Sequence, residues 1–303
     1  MISSAAIVCF GEALWDLLAG GHRPGGMPCR VALHLQQLGQ PVQLITRVGD
    51  DELGHKLLAV LTAYGLDPAL VQLSATHLTG FVKSPEPADG VKRHKIVQPL
   101  AWDYMPYTED LCKAVAQSQM LVYGTLAARS PVSRETLYRL LPHAPFKVLD
   151  VNLHAAHCSH EVVKYLLKQA DLVKLNEAEL AEIMAWQGQP APAEVAVPWL
   201  AKKYGLQAVC LTRGTISASL YQGGTWWHSA DFDATIKDLE SYGAGFLAGL
   251  LASWVQDQPP VECLNRACAE GTEVARQRTI ASSIILETNP HSRLHSTWFA
   301  DLN

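Results

Sequence analysis

The sequence predicts an α/β protein, a doubly wound and mostly parallel sheet with helices on both faces and a small β lid. Three observations carry that prediction. Short apolar runs of strand length alternate with helical runs along most of the 303 residues. Polar residues fall repeatedly just after the apolar runs, where a sheet of this kind gathers them on one rim. One segment, 79–98, breaks the alternation with two strand-like runs around a Pro- and Gly-containing turn, as expected of an inserted hairpin.

The elements follow in order. Residues 5–10 read as an apolar strand, 13–18 continue extended, and the Gly- and Pro-rich stretch 20–26 reads as a flexible loop. A helix is expected over 31–38, closed by Gly39, then a strand over 42–48 and a helix over 53–64, closed by Gly65. After the hairpin, helices are predicted at 111–118, 133–141, 161–169, 178–186 and 197–204. Strands are predicted at 120–124, 147–153, 171–176 and 208–214. Residues 189–197 read as a surface connection, 217–229 as a strand hairpin, and 264–278 as the final helix. The uninterrupted alternation predicts one domain over 1–303.

Composition narrows the function classes. Hydrophobic residues make up 49% of the chain, charged residues 17%, and the net charge is −5, so nothing electrostatic favours nucleic acid or an anionic membrane. Seven cysteines, widely spaced and without C-x-x-C, read as buried thiols of a reducing compartment rather than disulfides or zinc ligands. No apolar run is long enough for a membrane helix and no leader is recognisable, so a cytoplasmic protein is expected.

The chemistry-bearing residues cluster at strand ends. Asp16 follows the first strand, and Asp150, Asn152 and His154 end the KVLDVNLH run. Asn176 and Glu179 follow DLVKL, and Thr212, Arg213 and Gly214 end AVCLTRG. Asn176 with Glu179 also has the spacing of a helix capping box. In 237–254, KDLESYGAGFLAGLLASW, carboxylates and small residues precede an apolar helix. A turn rich in free N–H groups at a helix start suits an anion, and a neighbouring carboxylate suits a general base. Gly-Ala-Gly before an apolar run equally suits close helix packing.

These segments resemble the ribokinase-like sugar kinases of the phosphofructokinase-B group, most closely the fructokinase branch. The resemblance covers nearly the whole chain and shows in FGEALWDLL, GGMPCRVALHLQQLG, LITRVGDDELG, GTLAARSPVSRET, LDVNLH, ADLVKLNEAEL and LTRG. It implies ATP and Mg2+ as cofactors, a small sugar as substrate, a lid from about 12–24 and 79–98, and a homodimer formed through that lid. It implies sugar binding by Asp16, Gly25, Gly26 and Arg30. It implies nucleotide binding by Asn176, Glu179, Thr212, Arg213, Gly214, Gly243 and Gly245, with Glu179 acting near the metal.

The departures from the family pattern are specific. Arg30 stands where the family has a sugar-binding Asn after the glycine pair, and His154 where it usually has Arg. The signature D-T-x-G-A-G-D is not intact. In the preferred alignment Asp238 takes the first Asp and Glu240 the catalytic base, with about four loop residues missing. In the other, 243–245 is the anion loop and Phe246 falls on the base. The expectation is therefore an ATP-dependent, fructokinase-like sugar kinase with an altered catalytic loop. The alternative is a catalytically impaired sugar- or nucleotide-binding protein of the same fold. A dinucleotide-dependent enzyme is disfavoured because no G-x-G-x-x-G follows the first strand.

Overall fold

The structure, a computed structural model, describes residues 5–18, 21–83, 96–154, 157–215, 217–229 and 238–281. The chain starts in the middle of its main sheet. Strand β1 (Ile7–Phe10) has no exposed surface on any residue. It is followed by β2 (Leu14–Leu18), β3 (Gly21–Gly25), α1 (Met27–Gln37), β4 (Val42–Gly49), α2 (Glu52–Ala63), β5 (Val71–Ser74) and β6 (Gly80–Lys83). The second half runs α3 (Glu109–Ala116), β7 (Met120–Gly124), α4 (Pro131–Leu140), β8 (Lys147–Asp150), α5 (His160–Gln169), β9 (Leu172–Asn176), α6 (Glu177–Trp186) and α7 (Ala193–Tyr204). It closes with β10 (Ala208–Arg213), β11 (Ser217–Gln222), β12 (Thr225–Ser229), α8 (Leu239–Trp254) and α9 (Pro260–Ala281).

The main sheet has nine strands in the order β12-β11-β10-β9-β8-β7-β1-β4-β5. All neighbours from β10 to β5 are parallel, and β11 and β12 add an antiparallel end. The strand pleat sorts the core. Ile7 and Cys9 of β1 join one cluster with α1, α2, α8 and α9, while Val8 and Phe10 join the other with α3 to α7. The strand order reverses at β1, so the switch point lies beside the chain's first polar residues.

A separate three-stranded sheet, β3-β2-β6, rises from that switch point. Here the expectation of a loop at 20–26 is corrected. Residues 21–25 form β3, paired antiparallel with β2. Pro24 is tolerated because β3 is an edge strand and needs no ladder donor there. The first run of the expected 79–98 hairpin is β6, but its partner is β2, in parallel. The second run falls mostly at 91–95, outside the described residues.

Other differences have local causes. Helix α1 begins at Met27, four residues early, because Pro28 fits a first helical turn. Helix α7 reaches back to Ala193 through the expected Pro/Ala connection and carries Pro198 inside it. Strand β5 is short and alternates poorly, which hid it among turn residues.

Helices α8 and α9 approach each other through glycine. A Cβ on Gly245 would stand 2.8 Å from Val274 Cγ2 and 2.9 Å from the Glu270 carbonyl oxygen, and one on Gly249 2.9 Å from the Arg266 carbonyl oxygen. Helix propensity alone predicts that Gly245→Ala stabilises the protein by roughly 1 kcal/mol. The close contact predicts the opposite sign, a loss of roughly 1–3 kcal/mol. Urea unfolding measures the difference, and a stabilised variant would refute the packing role.

Candidate active site

The candidate site is a cavity of about 480 Å3, counted to its open mouth, between the small sheet and the carboxyl edge of the main sheet. Its polar lining is Glu12, Asp16, Arg30, Asn152, His154 and Glu240, with Gly26 and Met27 at the wall. The side chains arrive from five segments of the chain, with Asn152 and His154 both following β8. Glu12 follows β1, Asp16 lies on β2, Arg30 in α1 and Glu240 in the first turn of α8. Asn152 follows β8 with a positive φ of 34°, a sparsely populated backbone state for a residue other than glycine.

An ionic network spans the cavity. The Arg30 guanidinium, 3% exposed, donates to the Asp16 carboxylate through Nη2 and to Glu240 Oε2 through Nη1 at 3.3 Å. Arg23 of β3 donates to Asp16 Oδ2 at 3.2 Å and to Asp238 Oδ2 at 3.0 Å. Asp238 is the N-cap of α8 and accepts from the N–H and hydroxyl of Ser241. Burial works against its charge, but Arg23, these Ser241 donors and Arg30 outweigh it, and the carboxyl is held well below the usual range. Two arginines thus tie together three carboxylates that the fold would otherwise crowd.

The glycine pair serves this network directly. A Cβ on Gly25 would collide with Asp16 Oδ1, and one on Gly26 with the Glu12 carbonyl oxygen. Gly26 also sits at φ 89°, as the N-cap of α1. It has no side chain to cap with, so Glu12 does the capping from outside: its Oε1 accepts the Met27 N–H at 3.0 Å. The other oxygen, Oε2, is buried without a partner. Burial, the largest influence on Glu12, pushes its carboxyl from 4.5 up to about 7 against the backbone donors and Arg129.

The residues expected at the nucleotide lie outside this lining, at the ends of β9 and β10. Glu179 is half-buried, and its two oxygens accept the N–H of Leu153 and of Asn176, each at 2.8 Å. Asn176 returns a bond to the Glu179 N–H at 2.9 Å, so the pair is a capping box that also pins the chain after β8. Thr212 Oγ1 lies 3.5 Å from the Leu175 carbonyl oxygen, and Arg213 pairs with Glu177 at 2.6 Å. Gly214, at φ 58°, faces open space.

Gly243 sits between the two regions, where a Cβ would lie 3.8 Å from Met27 Cε and 3.9 Å from Lys174 Nζ. Lys174 is buried and donates to Asp150 Oδ1 at 2.9 Å. Burial lowers its proton affinity, but Asp150 and Glu179 outweigh burial and hold it charged. Gly245, expected at the nucleotide, is placed in the α8–α9 interface. Among the described residues no group of three or more His, Cys, Asp or Glu could hold a metal ion. With both oxygens of Glu179 on backbone donors, the described residues offer no ligand cage.

Helix α8 runs unbroken from Leu239, which bears on the altered signature. Ser241 N–H is capped by Asp238 and Tyr242 N–H bonds to the Asp238 carbonyl oxygen, so these two donors are already engaged within the helix start. Phe246, the base position in one alignment, is fully buried in the core, whereas Glu240 lines the cavity. Counted without a gap, the seventh position from Asp238 is Ala244, also fully buried.

The comparisons with known proteins agree with the fold. The family model for the pfkB family carbohydrate kinases matches residues 7–286. The chain belongs to the pfkB family of carbohydrate kinases. A fructokinase of Escherichia coli is 27% identical over 261 residues, covering 82% of this chain and 84% of that protein. A 5-dehydro-2-deoxygluconokinase of Lacticaseibacillus casei is 27% identical over 247 residues, 76% of this chain and 73% of that protein. Among solved structures, the fructokinase of Xylella fastidiosa with bound ATP aligns with a TM-score of 0.78 at 20% identity, covering 90% of this chain and 92% of that one. The Vibrio cholerae fructokinase in its fructose, ADP and calcium ion bound form gives 0.75 at 19% identity, covering 89% and 92%. Among the described residues, no helix is long and apolar enough to cross a membrane.

Sequence reading missed Glu12, Arg23 and Lys174. Glu12 carried a signal, a carboxylate ending a wholly apolar strand. Arg23 was hidden in the Gly- and Pro-rich stretch taken for a loop. Glu12 also makes a pH prediction. A folded pKa raised from 4.5 to about 7 gives a contribution to stability fully present below about 4.5 and lost as pH rises through about 7. The shift corresponds to about 3 kcal/mol. Glu12→Gln should remove that loss, so its stability by urea unfolding gains on the wild type between pH 5 and pH 8. Parallel stability curves for the two proteins would show that Glu12 is not raised in this way.

Proposed function

We propose that this chain is an ATP-dependent, fructokinase-like kinase that phosphorylates a hydroxyl of a ketose or similar neutral sugar held in the cavity. The observation that carries the reading is the convergence of Asp16, Asn152, His154 and Glu240 on one cavity at the carboxyl edge of a parallel sheet. Asp16 is an acceptor suited to a sugar diol once Arg30 yields one of its contacts. Glu240, with 41% of its side chain exposed, takes the proton of the attacking hydroxyl. The hydroxyl oxygen then bonds to the γ-phosphorus, the bond from that phosphorus to the β–γ bridging oxygen breaks, and ADP leaves.

The nucleotide lies beside 212–214 at the end of β10, with its γ-phosphate toward Gly243 and the Lys174 ammonium. The names of the relatives and the ATP- and ADP-bound neighbours support this choice of cofactor. A Mg2+ ion would be held by nucleotide phosphates and water, as this ion often is, since the described residues form no cage for it. When bound, it would neutralise phosphate charge. Glu179 keeps the strand-end loop in place beside it. The small sheet acts as the lid over the sugar, and its open edges suit pairing of two chains. The reducing cytosol suits the free cysteines.

A second reading, binding without turnover, has its own support. Arg30 holds both the sugar-side carboxylate and the candidate base, and the gapless count puts Ala244 on the base position. ADP formation with D-fructose and a panel of ketoses and aldoses, measured beside sugar and ATP binding, separates the readings. Glu240→Gln should lower turnover by roughly 10²–10⁴, and Arg30→Asn, which frees Asp16, should tighten sugar binding. Binding of sugar and ATP without ADP formation in both the wild type and Arg30→Asn would establish the second reading over the first.

A further inference from the structure

We infer that Glu12 is a substrate-binding residue whose Oε2 accepts a hydroxyl of the bound sugar at the inner end of the cavity. The inference rests on the sugar-binding reading above and adds a contact to it. Glu12 lines the cavity, is 2% exposed, and has one oxygen on the Met27 N–H and the other without a partner. A buried carboxylate oxygen left bare is costly, and a cavity-lining one is satisfied by whatever donor enters. A sugar presents hydroxyl donors and no charge. The other two carboxylates of the cavity wall are already paired, Asp16 with two guanidinium groups and Glu240 with that of Arg30. Glu12 is therefore the acceptor a sugar can reach without displacing an ion pair.

The surroundings favour a neutral donor over a cation or an anion. Glu12 faces Arg129, just before α4, whose guanidinium is committed to Asp103 at 2.7 Å through both Nε and Nη2. From the end of β8 it faces Asp150, whose charge Lys174 offsets. Ahead of α5 lies Cys158, a thiol pushed up by burial. Across the cavity stand Asp16, Arg30, His154 and Glu240. A free anion would meet the carboxylates, and Arg129 leaves little room for a second cation.

Capping α1 and binding sugar make different demands on the same side chain. Glu12→Gln keeps an oxygen for the Met27 N–H and puts an amide donor where Oε2 was. A purely structural cap survives that change, while an acceptor for a sugar hydroxyl does not. The ionised carboxylate is the better acceptor, so sugar affinity should rise as pH climbs through about 7.

The test is calorimetric binding of D-fructose and a panel of neutral ketoses and aldoses to the full chain at pH 6 and pH 8, without nucleotide. The expected result is a tenfold or greater loss of affinity in Glu12→Gln at pH 8, shrinking toward no difference at pH 6, with a thermal midpoint no lower than the wild type's at either pH. Equal affinities and equal pH profiles would overturn the Glu12 assignment alone. If no sugar binds the wild type at either pH, the assignment falls together with the sugar-kinase reading, whereas binding abolished by Asp16→Ala but unaffected by Glu12→Gln leaves that reading standing.

Discussion

The site depends on one constraint: the Asp16 carboxylate is buried and must be neutralised where it stands. Arg30 from α1 and Arg23 from β3 both do so, and each has a second carboxylate at the start of α8. These ion pairs tie the small sheet, the first helix and the start of α8 together at the cavity, above an apolar cluster that the three share. Removing one member of such a set leaves the others buried and unpaired, which costs several kcal/mol in typical proteins, while the intact set contributes much less. The network is thus better understood as fixing geometry than as supplying stability. It also sets the terms of catalysis, because the atoms a sugar needs are the atoms the arginines hold.

Three carboxylates near the site illustrate how burial alone misleads. Glu12 is buried and Glu179 half-buried, and burial raises the proton affinity of both. Glu179 has each oxygen on a backbone N–H, so its task is complete within the fold. Glu12 has one oxygen so occupied and one bare. Asp238, less buried, is driven the other way by Arg23 and Ser241. The difference lies in how many lone pairs the protein itself satisfies.

Much of the fold was legible because local pattern and tertiary role coincide. Val8, Phe10, Leu121 and Val173 sit in apolar runs whose length and flanks allow little but buried strands, and Gly39 and Gly65 take the positive φ that ends a helix. Residues 21–25 were misread because their strand character comes from β2 and not from their own propensity. The site was legible where the chain places polar residues after strands, as with Asp16, Asn152 and His154. At Glu240 and Asp238 the sequence left two alignments open. Whether a carboxylate in 238–246 faces a cavity or the core depends on where α8 begins, and a run rich in small residues leaves that start open. Arg30 was recognised as a departure, but its bridging of Asp16 to Glu240, 210 residues away, has no sequence signature.

The sequence separation of these ion pairs has a consequence for how the protein is made. Arg23 and Asp238 are 215 residues apart, so the walls of the cavity come from segments translated far apart. The strands from β1 to β10 can associate as they leave the ribosome. The arginines of the first thirty residues have no counterpart on α8 until it emerges. Asp16 alone shares their charge in the meantime. Closing so long a loop is slow compared with local folding. The site therefore forms late, together with the cover that α8 and α9 give one face of the sheet, and a chain cut short ahead of α8 lacks both one side of the pocket and that cover.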